Sequence, residues 1–208
     1  MNLSPAACLH LHKQQKPMKK LLFFLLIAGS MSLQSCQYNT MIEKQEAVTA
    51  QWSQVENVYQ RRADLIPNLV ATVKGYADFE QETLTAVIEA RAKATSINVD
   101  PSKLDASSIQ NFQAAQDGLS SALSKLMVVV ERYPELKANQ NFLELQSQLE
   151  GTENRIAVER KKFNETAQDY NTYIRKFPNN MIAGMFDFEK KEYFEADAGA
   201  EEAPKVEF

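Results

Sequence analysis

Apolar residues recur every three, four or seven positions along most of the chain, a spacing that predicts long amphipathic helices. Glycine and proline are scarce, with six and seven residues in 208, so few positions interrupt the pattern. A first helix is predicted over residues 40–66; its apolar stripe holds Val48, Trp52, Val55, Tyr59 and Ile66, with Gln45 and Arg62 as polar members. We expect Trp52 to lie in the core because it belongs to this stripe.

Two further helices are predicted before residue 133. Pro67 disfavours the helical conformation at Ile66, so it marks a kink or a boundary, with a second helix over residues 67–96. The apolar face of the second helix comprises Leu69, Val70, Val73, Ala77, Leu84, Val87 and Ile88. A loop follows at residues 97–102. The third helix, residues 107–132, carries Phe112, Ala115, Leu119, Ala122, Leu123, Leu126, Val129 and Val130 at helical spacing.

The longest predicted helix covers residues 139–176, about 57 Å at the helical rise. Its apolar residues repeat every seven positions, at Phe142, Leu149, Ile156, Phe163, Tyr170 and Phe177. The neighbouring seam is half polar and reads Leu145, Thr152, Glu159, Thr166 and Tyr173. A seven-residue repeat is typical of helices that pack against long antiparallel partners. The predicted fold is therefore all-α, an antiparallel bundle of four long helices over residues 36–178.

The last 30 residues, 179–208, differ in composition from the helices before them. They begin with an aromatic segment that contains Phe186, Phe188, Tyr193 and Phe194, and continue with small and acidic residues from Ala196 to Pro204. We expect the aromatic segment to pack over the end of the bundle; the alternative is that it binds a partner. The acidic remainder is typical of a disordered tail.

The N-terminal segment has the organisation of a bacterial lipoprotein signal peptide. Lys19 and Lys20 precede an apolar stretch that is shorter than the roughly 20 residues of a transmembrane helix. Cys36 follows at the position where such a cysteine receives its lipid, although Gln34 departs from the usual small or apolar residue. We therefore predict an upstream extension over residues 1–17 and a signal peptide over residues 18–35. The alternatives are an uncleaved membrane-anchoring signal or an unmodified Cys36 thiol.

Composition restricts the chemistry of a mature chain that begins at Cys36. Both histidines, His10 and His12, lie upstream, which excludes histidine-based nucleophilic catalysis and zinc sites built on Cys and His. The mature chain would keep 19 basic and 27 acidic residues, a formal net charge of −8, which disfavours nucleic-acid binding. We expect no cofactor and no metal; a carboxylate pair or a Ser–Lys pair is the chemistry left to an enzyme.

Several ordered motifs identify a resemblance to a known family. They are Trp52–Asn57, Gln60–Val70, Thr72–Ala77 and Glu89–Arg91, and later Leu149–Ala157 with Arg160, Asp169–Asn171, Phe177–Pro178 and Tyr193–Glu195. Together they resemble the LemA family over nearly the whole mature chain. The resemblance implies long antiparallel helices with a bromodomain-like topology and an N-terminal membrane anchor, with the body outside the cytoplasm. Many members use a plain transmembrane segment there, and this chain departs from them at Cys36. No catalytic residue or cofactor is implied.

Two polar clusters are the candidate sites. The first comprises Arg61, Arg62 and Asp64, and it is either a docking site for a partner or an anionic group, or a set of pairs inside the bundle that fixes helix register. The second comprises Glu150, Glu153, Asn154, Arg155, Glu159 and Arg160. Its paired carboxylates are one candidate for acid–base chemistry, but their spacing favours helix-surface pairs and contacts between helices. Arg62 lies on an apolar stripe and therefore needs an acid from another helix, for which Glu159 is our candidate. Removing one partner of a buried pair costs about 3–5 kcal/mol.

These features predict a lipid-anchored, non-enzymatic protein of the bacterial cell envelope, on the periplasmic side or in the outer membrane. Its expected partners are membrane lipid, through acylated Cys36, and another protein for which it serves as an interaction or adaptor module. One alternative is a homo-oligomer, a self-associating component that organises the membrane. Another is a hydrolase or transferase that uses carboxylates.

Overall fold

A computed structural model describes residues 5–76, 80–101 and 103–195, with side chains from residue 37 onward within these ranges. The helices are α1 (Pro5–Lys74), α2 (Gln81–Ser96), α3 (Ala106–Val130), α4 (Pro134–Lys137), α5 (Gln140–Arg175) and α6 (Asn179–Met185). The described ranges contain no strand, so the predicted all-α class is confirmed. Among the residues that the structure describes, no helix combines the length and the apolar character of a membrane span.

Of the two alternatives predicted at Pro67, a kink or a boundary, the boundary is not found, because α1 continues through Pro67 to Lys74. Proline lacks the N–H that would bond to the carbonyl four residues earlier, which here belongs to Ala63. Arg91 on α2 donates to that carbonyl oxygen from Nε over 2.8 Å. A side chain from another helix thus replaces the missing backbone donor, and buried Leu69 and Val73 hold the continued helix against the core.

The remaining helices follow the predicted periodicity, with local corrections. The second helix begins at Gln81 rather than at residue 67, and Ile88, expected on its apolar face, is 43% exposed. The predicted helix over residues 139–176 is α5, whose first turn is capped by the Asn139 side chain, which accepts from the Phe142 N–H over 3.1 Å. The short helix α4 was not predicted. Ala77 lies outside the described residues.

The core consists of two clusters at opposite ends of the bundle. The first surrounds Trp52, which is fully buried as predicted and meets the rings of Phe112 and Phe163 edge-on at 5.2 and 5.5 Å. The second is aliphatic and includes Leu69, Val87, Leu119, Leu126 and Leu149. The seven-residue stripe of α5 is buried from Phe142 to Tyr170, but Phe177 is 81% exposed because α5 has already ended at Arg175.

Polar contacts give the directions of the helices. Lys44 on α1 pairs with Asp169 on α5, and Gln51, seven residues later on α1, donates to Glu159, ten residues earlier on α5. Helices α1 and α5 therefore run antiparallel. Contacts between Gln116 and Ala94 and between Arg132 and Glu80 place α2 antiparallel to α3. The backbones of α3 and α5 approach each other less closely than those of α1 and α5, which leaves a groove between them.

The aromatic segment after α6 folds back onto the bundle, which confirms the expectation that it packs there. Phe194 is buried and stacks on Trp52, with ring centroids 5.7 Å apart and planes inclined by 8°. Tyr170 donates from its hydroxyl to the Glu189 carbonyl over 3.0 Å. The segment extends along the α3–α5 groove instead of covering only the bundle end. The small and acidic residues 196–204, predicted to be disordered, lie outside the described residues.

Candidate binding groove

Arg62 lies at the centre of the bundle, where the two core clusters meet. It belongs to the apolar stripe of α1, so its guanidinium points inward, and its side chain is 2% exposed. Nη1 donates to the Ser120 hydroxyl and to Glu153 Oε2, both over 2.8 Å, and Nη2 donates to the Gln116 carbonyl and to its Oε1. The Tyr59 ring lies against the guanidinium, 5.1 Å from its centroid. Arg62 therefore ties α1 to both α3 and α5.

The hydrogen-bond network around Arg62 also reaches α2. Gln116 accepts from Arg62 and in turn donates from Nε2 to the Ala94 carbonyl on α2 over 3.2 Å. A buried guanidinium is costly unless its donors are satisfied. Here four of them are paired, while Nε finds no acceptor among the described residues. Since each acceptor comes from a fixed helix position, the network sets the register of the bundle.

The acid that Arg62 needs comes from α5, but it is Glu153 rather than the predicted Glu159. Glu159 lies six residues further along α5 and accepts from Gln51 over 2.8 Å and from Lys162 over 2.9 Å. The hydrogen bonds from Lys162 and then from Gln51 hold the pKa of the Glu159 carboxyl below its usual value. The predicted residue pair was therefore wrong, because the helix register places Gln51 opposite Glu159.

The other candidate residues are distributed over the surface. Arg61, Asp64, Asn154 and Arg155 are exposed, and Asp64 accepts from Gln60 one turn earlier on the same helix over 2.8 Å. Only Arg62 and Glu153 of the predicted set therefore meet across helices. Cys36 lies within α1, and its side chain is outside the described residues.

Two asparagines on α5 hold the extended segment after α6 in the groove. Asn171 donates from Nδ2 to the Lys191 carbonyl over 2.7 Å and accepts from the Lys191 N–H over 2.9 Å. Asn164, seven residues earlier, makes the same pair of bonds with Phe194, both over 2.9 Å. An asparagine amide presents one donor and one acceptor side by side, as the edge of a β-strand does. We call these two residues the asparagine clamp.

The groove continues beyond the clamped segment. Glu195 is held through its carbonyl oxygen, which accepts from Arg160 over 2.7 Å and from Gln113 over 3.3 Å. Next comes a cavity of about 540 Å³ whose lining includes Arg62, Ser120 and Glu153. A second cavity of about 240 Å³ follows, with Leu123, Met127, Leu149 and Gln146 in its wall. Among the described residues, which end at Glu195 here, the α3–α5 groove is thus filled by the chain's own backbone at one end and open at the other.

Burial changes the acid–base properties of the groove wall. It raises the pKa of the Tyr59 hydroxyl to about 12, although the positive charges of Arg160 and Arg62 oppose the rise. Burial likewise raises the pKa of Tyr170, beneath the clamped segment, to about 12. Both phenols therefore stay neutral at physiological pH, and the charged side chains in this part of the groove are Arg62, Arg160, Asp117, Glu153 and Glu195.

Sequence reasoning did not find Gln116, Ser120 or the asparagine clamp. Asn164 and Asn171 each directly follow a residue of the buried stripe, Phe163 and Tyr170. An asparagine repeated at seven-residue spacing beside an apolar stripe was the available signal, since it places two amides on one edge of a helix. Their partner, however, is a backbone whose path local periodicity does not describe.

Comparisons with known proteins place this arrangement in a family. The family model described as the LemA family matches residues 51–208. The chain is similar to magnetosome protein MamQ 2 of Paramagnetospirillum magneticum, at 28% identity over 76% of this chain. It is also similar to magnetosome protein MamQ of Magnetospirillum gryphiswaldense, at 28% identity over 76% of the chain. The matched region spans 65% and 64% of the length of those two relatives.

The match to a further relative covers a larger share of both proteins. Protein LemA of Metamycoplasma hominis is 25% identical over 85% of this chain and 77% of its own length. None of these relatives bears the name of an enzyme.

Proposed function

Because the chain belongs to the LemA family, we propose that it is a lipid-anchored, non-enzymatic protein of the cell envelope that binds an extended segment of a partner protein in the α3–α5 groove. The asparagine clamp is the observation that carries this proposal. It supports the proposal because side-chain amides in the groove already hold the backbone of an extended segment of this chain, and peptides are often recognised through their backbone groups.

The open half of the groove has the properties of a peptide site. Its wall offers the apolar side chains of Leu123, Met127 and Leu149 beside the polar groups of Arg62 and Glu153. An apolar pocket with a few placed polar groups supports both affinity and orientation. The Arg62 network supports this role because it fixes the distance between α3 and α5. We also infer that α1, α2, α3 and α5 form the antiparallel four-helix, bromodomain-like topology implied by the family resemblance.

The anchor is the second part of the proposal. The leader over residues 18–35 and Cys36 support acylation at Cys36, with the body outside the cytoplasm. Two acyl chains give stable attachment where one gives only marginal binding. Cys36→Ser is expected to release the body from the membrane or to trap the precursor. A Cys36→Ser protein that remains in the membrane at the mature mass would contradict the anchor.

The groove is tested by crosslinking in living cells, followed by affinity purification through a tag after Phe208. Two matched variants sharpen the result, since Gln146 lines the groove whereas exposed Gln148 does not. We expect Gln146→Trp to remove the partner by filling the groove and Gln148→Trp to keep it. A partner retained equally by both variants contradicts binding in the groove. Crosslinks only between copies of this chain would favour the self-associating, membrane-organising alternative.

A further inference from the structure

Large apolar side chains are exposed together at one end of the bundle. They are Phe177, Met181, Met185 and Phe186, each between 54% and 81% exposed, and we call them the apolar collar. Met181 and Met185 are four residues apart and share one face of α6. Four large exposed apolar side chains thus fall within residues 177–186, and an exposed apolar patch on a folded protein marks a binding surface.

The apolar collar is fixed to the body by the opposite face of α6. Ile182 and Ala183 are buried in the same core cluster as Met41 and Ile174. Helix α6 therefore has an apolar inner face that packs on the core and an apolar outer face that the described residues leave exposed. An outer face of this composition fits an apolar surface provided from outside the bundle.

The start of the described side chains lies at the same end. The Tyr38 ring contacts that of Phe186, with centroids 4.9 Å apart, and meets Phe188 edge-on at 5.7 Å. Tyr38 follows Cys36 by two residues in α1, about 3 Å along the helix axis. A lipid on Cys36 would therefore hold the membrane surface within about one helical turn of the apolar collar.

We propose that the apolar collar inserts into the headgroup–acyl boundary of the bilayer that carries the Cys36 lipid. This inference rests on the proposed anchor at Cys36. Aromatic and apolar side chains favour this layer of the membrane. The neighbouring exposed charges nearly balance, with Arg175, Lys176 and Lys190 against Asp187 and Glu189, so apolar contact supplies most of the interaction.

Insertion gives the body a fixed orientation that the lipid alone would not impose. A single tether allows the bundle to tilt, whereas a second contact beside it removes that freedom. Arg62 lies 24 residues beyond Tyr38 in α1, about 36 Å along the axis. The open half of the groove would then be held at a constant distance from the bilayer.

The test uses the full chain in its native membrane, with the photoreactive residue p-benzoylphenylalanine in place of Met181. The matched control carries it at Val128, an equally exposed apolar position in the other half of the bundle. Mass spectrometry then quantifies phospholipid adducts, and Trp52 fluorescence verifies that both variants are folded. We expect lipid adducts at position 181 to exceed those at position 128 by at least fivefold. Equal yields of lipid adducts at the two positions would overturn the proposal. Adducts at position 181 that contain protein and no lipid would overturn it as well.

The same spectra separate this inference from the anchor, since they report the mass of Cys36. Acylated Cys36 without lipid adducts at position 181 overturns the collar and leaves the anchor intact. Lipid adducts at position 181 with an unmodified Cys36 would mean that the collar meets the bilayer without a lipid on Cys36, which overturns both the lipid anchor and the dependence of the collar on it.

Discussion

Arg62 on α1 donates to Glu153 on α5 over 2.8 Å, yet the two side chains differ in exposure, at 2% and 55%. The pair is therefore a buried cation with an acid at the protein surface. Water screens the carboxylate, so the pair by itself adds little. The guanidinium depends on the full set of acceptors that Gln116, Ser120 and Glu153 provide. Their joint geometry, more than the ion pair, holds the groove walls together.

The free energy of unfolding should depend more strongly on Arg62 than on Glu153. We expect Arg62→Ala to lower the free energy of unfolding by about 3–5 kcal/mol, because it opens a cavity and strands buried acceptors. Glu153→Gln should cost about 1 kcal/mol, since Glu153 is exposed and the amide oxygen still accepts. A double-mutant cycle in urea between Arg62→Ala and Glu153→Ala should reveal coupling, and the matched cycle with Glu159→Ala should reveal none. Stronger coupling to Glu159 would contradict this register.

Periodicity predicted the long helices and the burial of Trp52 because repeated apolar spacing determines which face of a helix turns inward. It did not predict that Glu153 rather than Glu159 faces Arg62, because a stripe fixes the face but not the axial register of two antiparallel helices. The asparagine clamp was missed for a related reason: the sequence contains the seven-residue spacing of Asn164 and Asn171, but not the path of the Lys191 backbone that Asn171 binds. The residue pattern within one helix does not reveal which residues from distant parts of the chain lie beside it.

A third double-mutant cycle concerns Pro67 and Arg91. Arg91 supplies the donor that Pro67 denies to the Ala63 carbonyl. Arg91→Leu should therefore lower the free energy of unfolding by about 1–3 kcal/mol in the parent chain. In a Pro67→Ala background the new backbone N–H can bond to Ala63, so the same change should cost clearly less. Equal costs in the two backgrounds would show that Arg91 stabilises the chain by other means.

The clamp predicts which residue controls docking of the segment after α6. Asn171→Leu keeps a similar volume but leaves the Lys191 N–H and carbonyl without their partner. Losing these bonds should cost about 1–3 kcal/mol, so amide hydrogen exchange at Lys191 should accelerate roughly tenfold to a hundredfold. Asn154→Leu, on an exposed position of the same helix, is the matched control and should leave that exchange unchanged. Unaltered exchange at Lys191 in Asn171→Leu would show that Asn171 does not hold this segment in the groove.

At alkaline pH, the free energy of unfolding should decline as the buried phenols of Tyr59 and Tyr170 lose their protons. Burial raises the pKa of Tyr59 and of Tyr170 to about 12, above the value of 10.0 taken for the unfolded chain. The folded state thus retains protons that the unfolded state releases, so this contribution is fully present below pH 10 and is lost as the pH rises through about 12. Urea unfolding between pH 9 and 12 should show the decline, and Tyr59→Phe should reduce its slope. An unchanged slope in Tyr59→Phe would contradict the assignment.

We expect the open half of the α3–α5 groove to receive a segment of another protein. The test places p-benzoylphenylalanine at Met127, which lines the groove, or at the adjacent exposed Val128, which does not, in living cells. After irradiation we predict that position 127 yields one dominant adduct with a different protein, and that position 128 does not yield it. The same adduct in equal amount from both positions, or none from position 127, would contradict the claim.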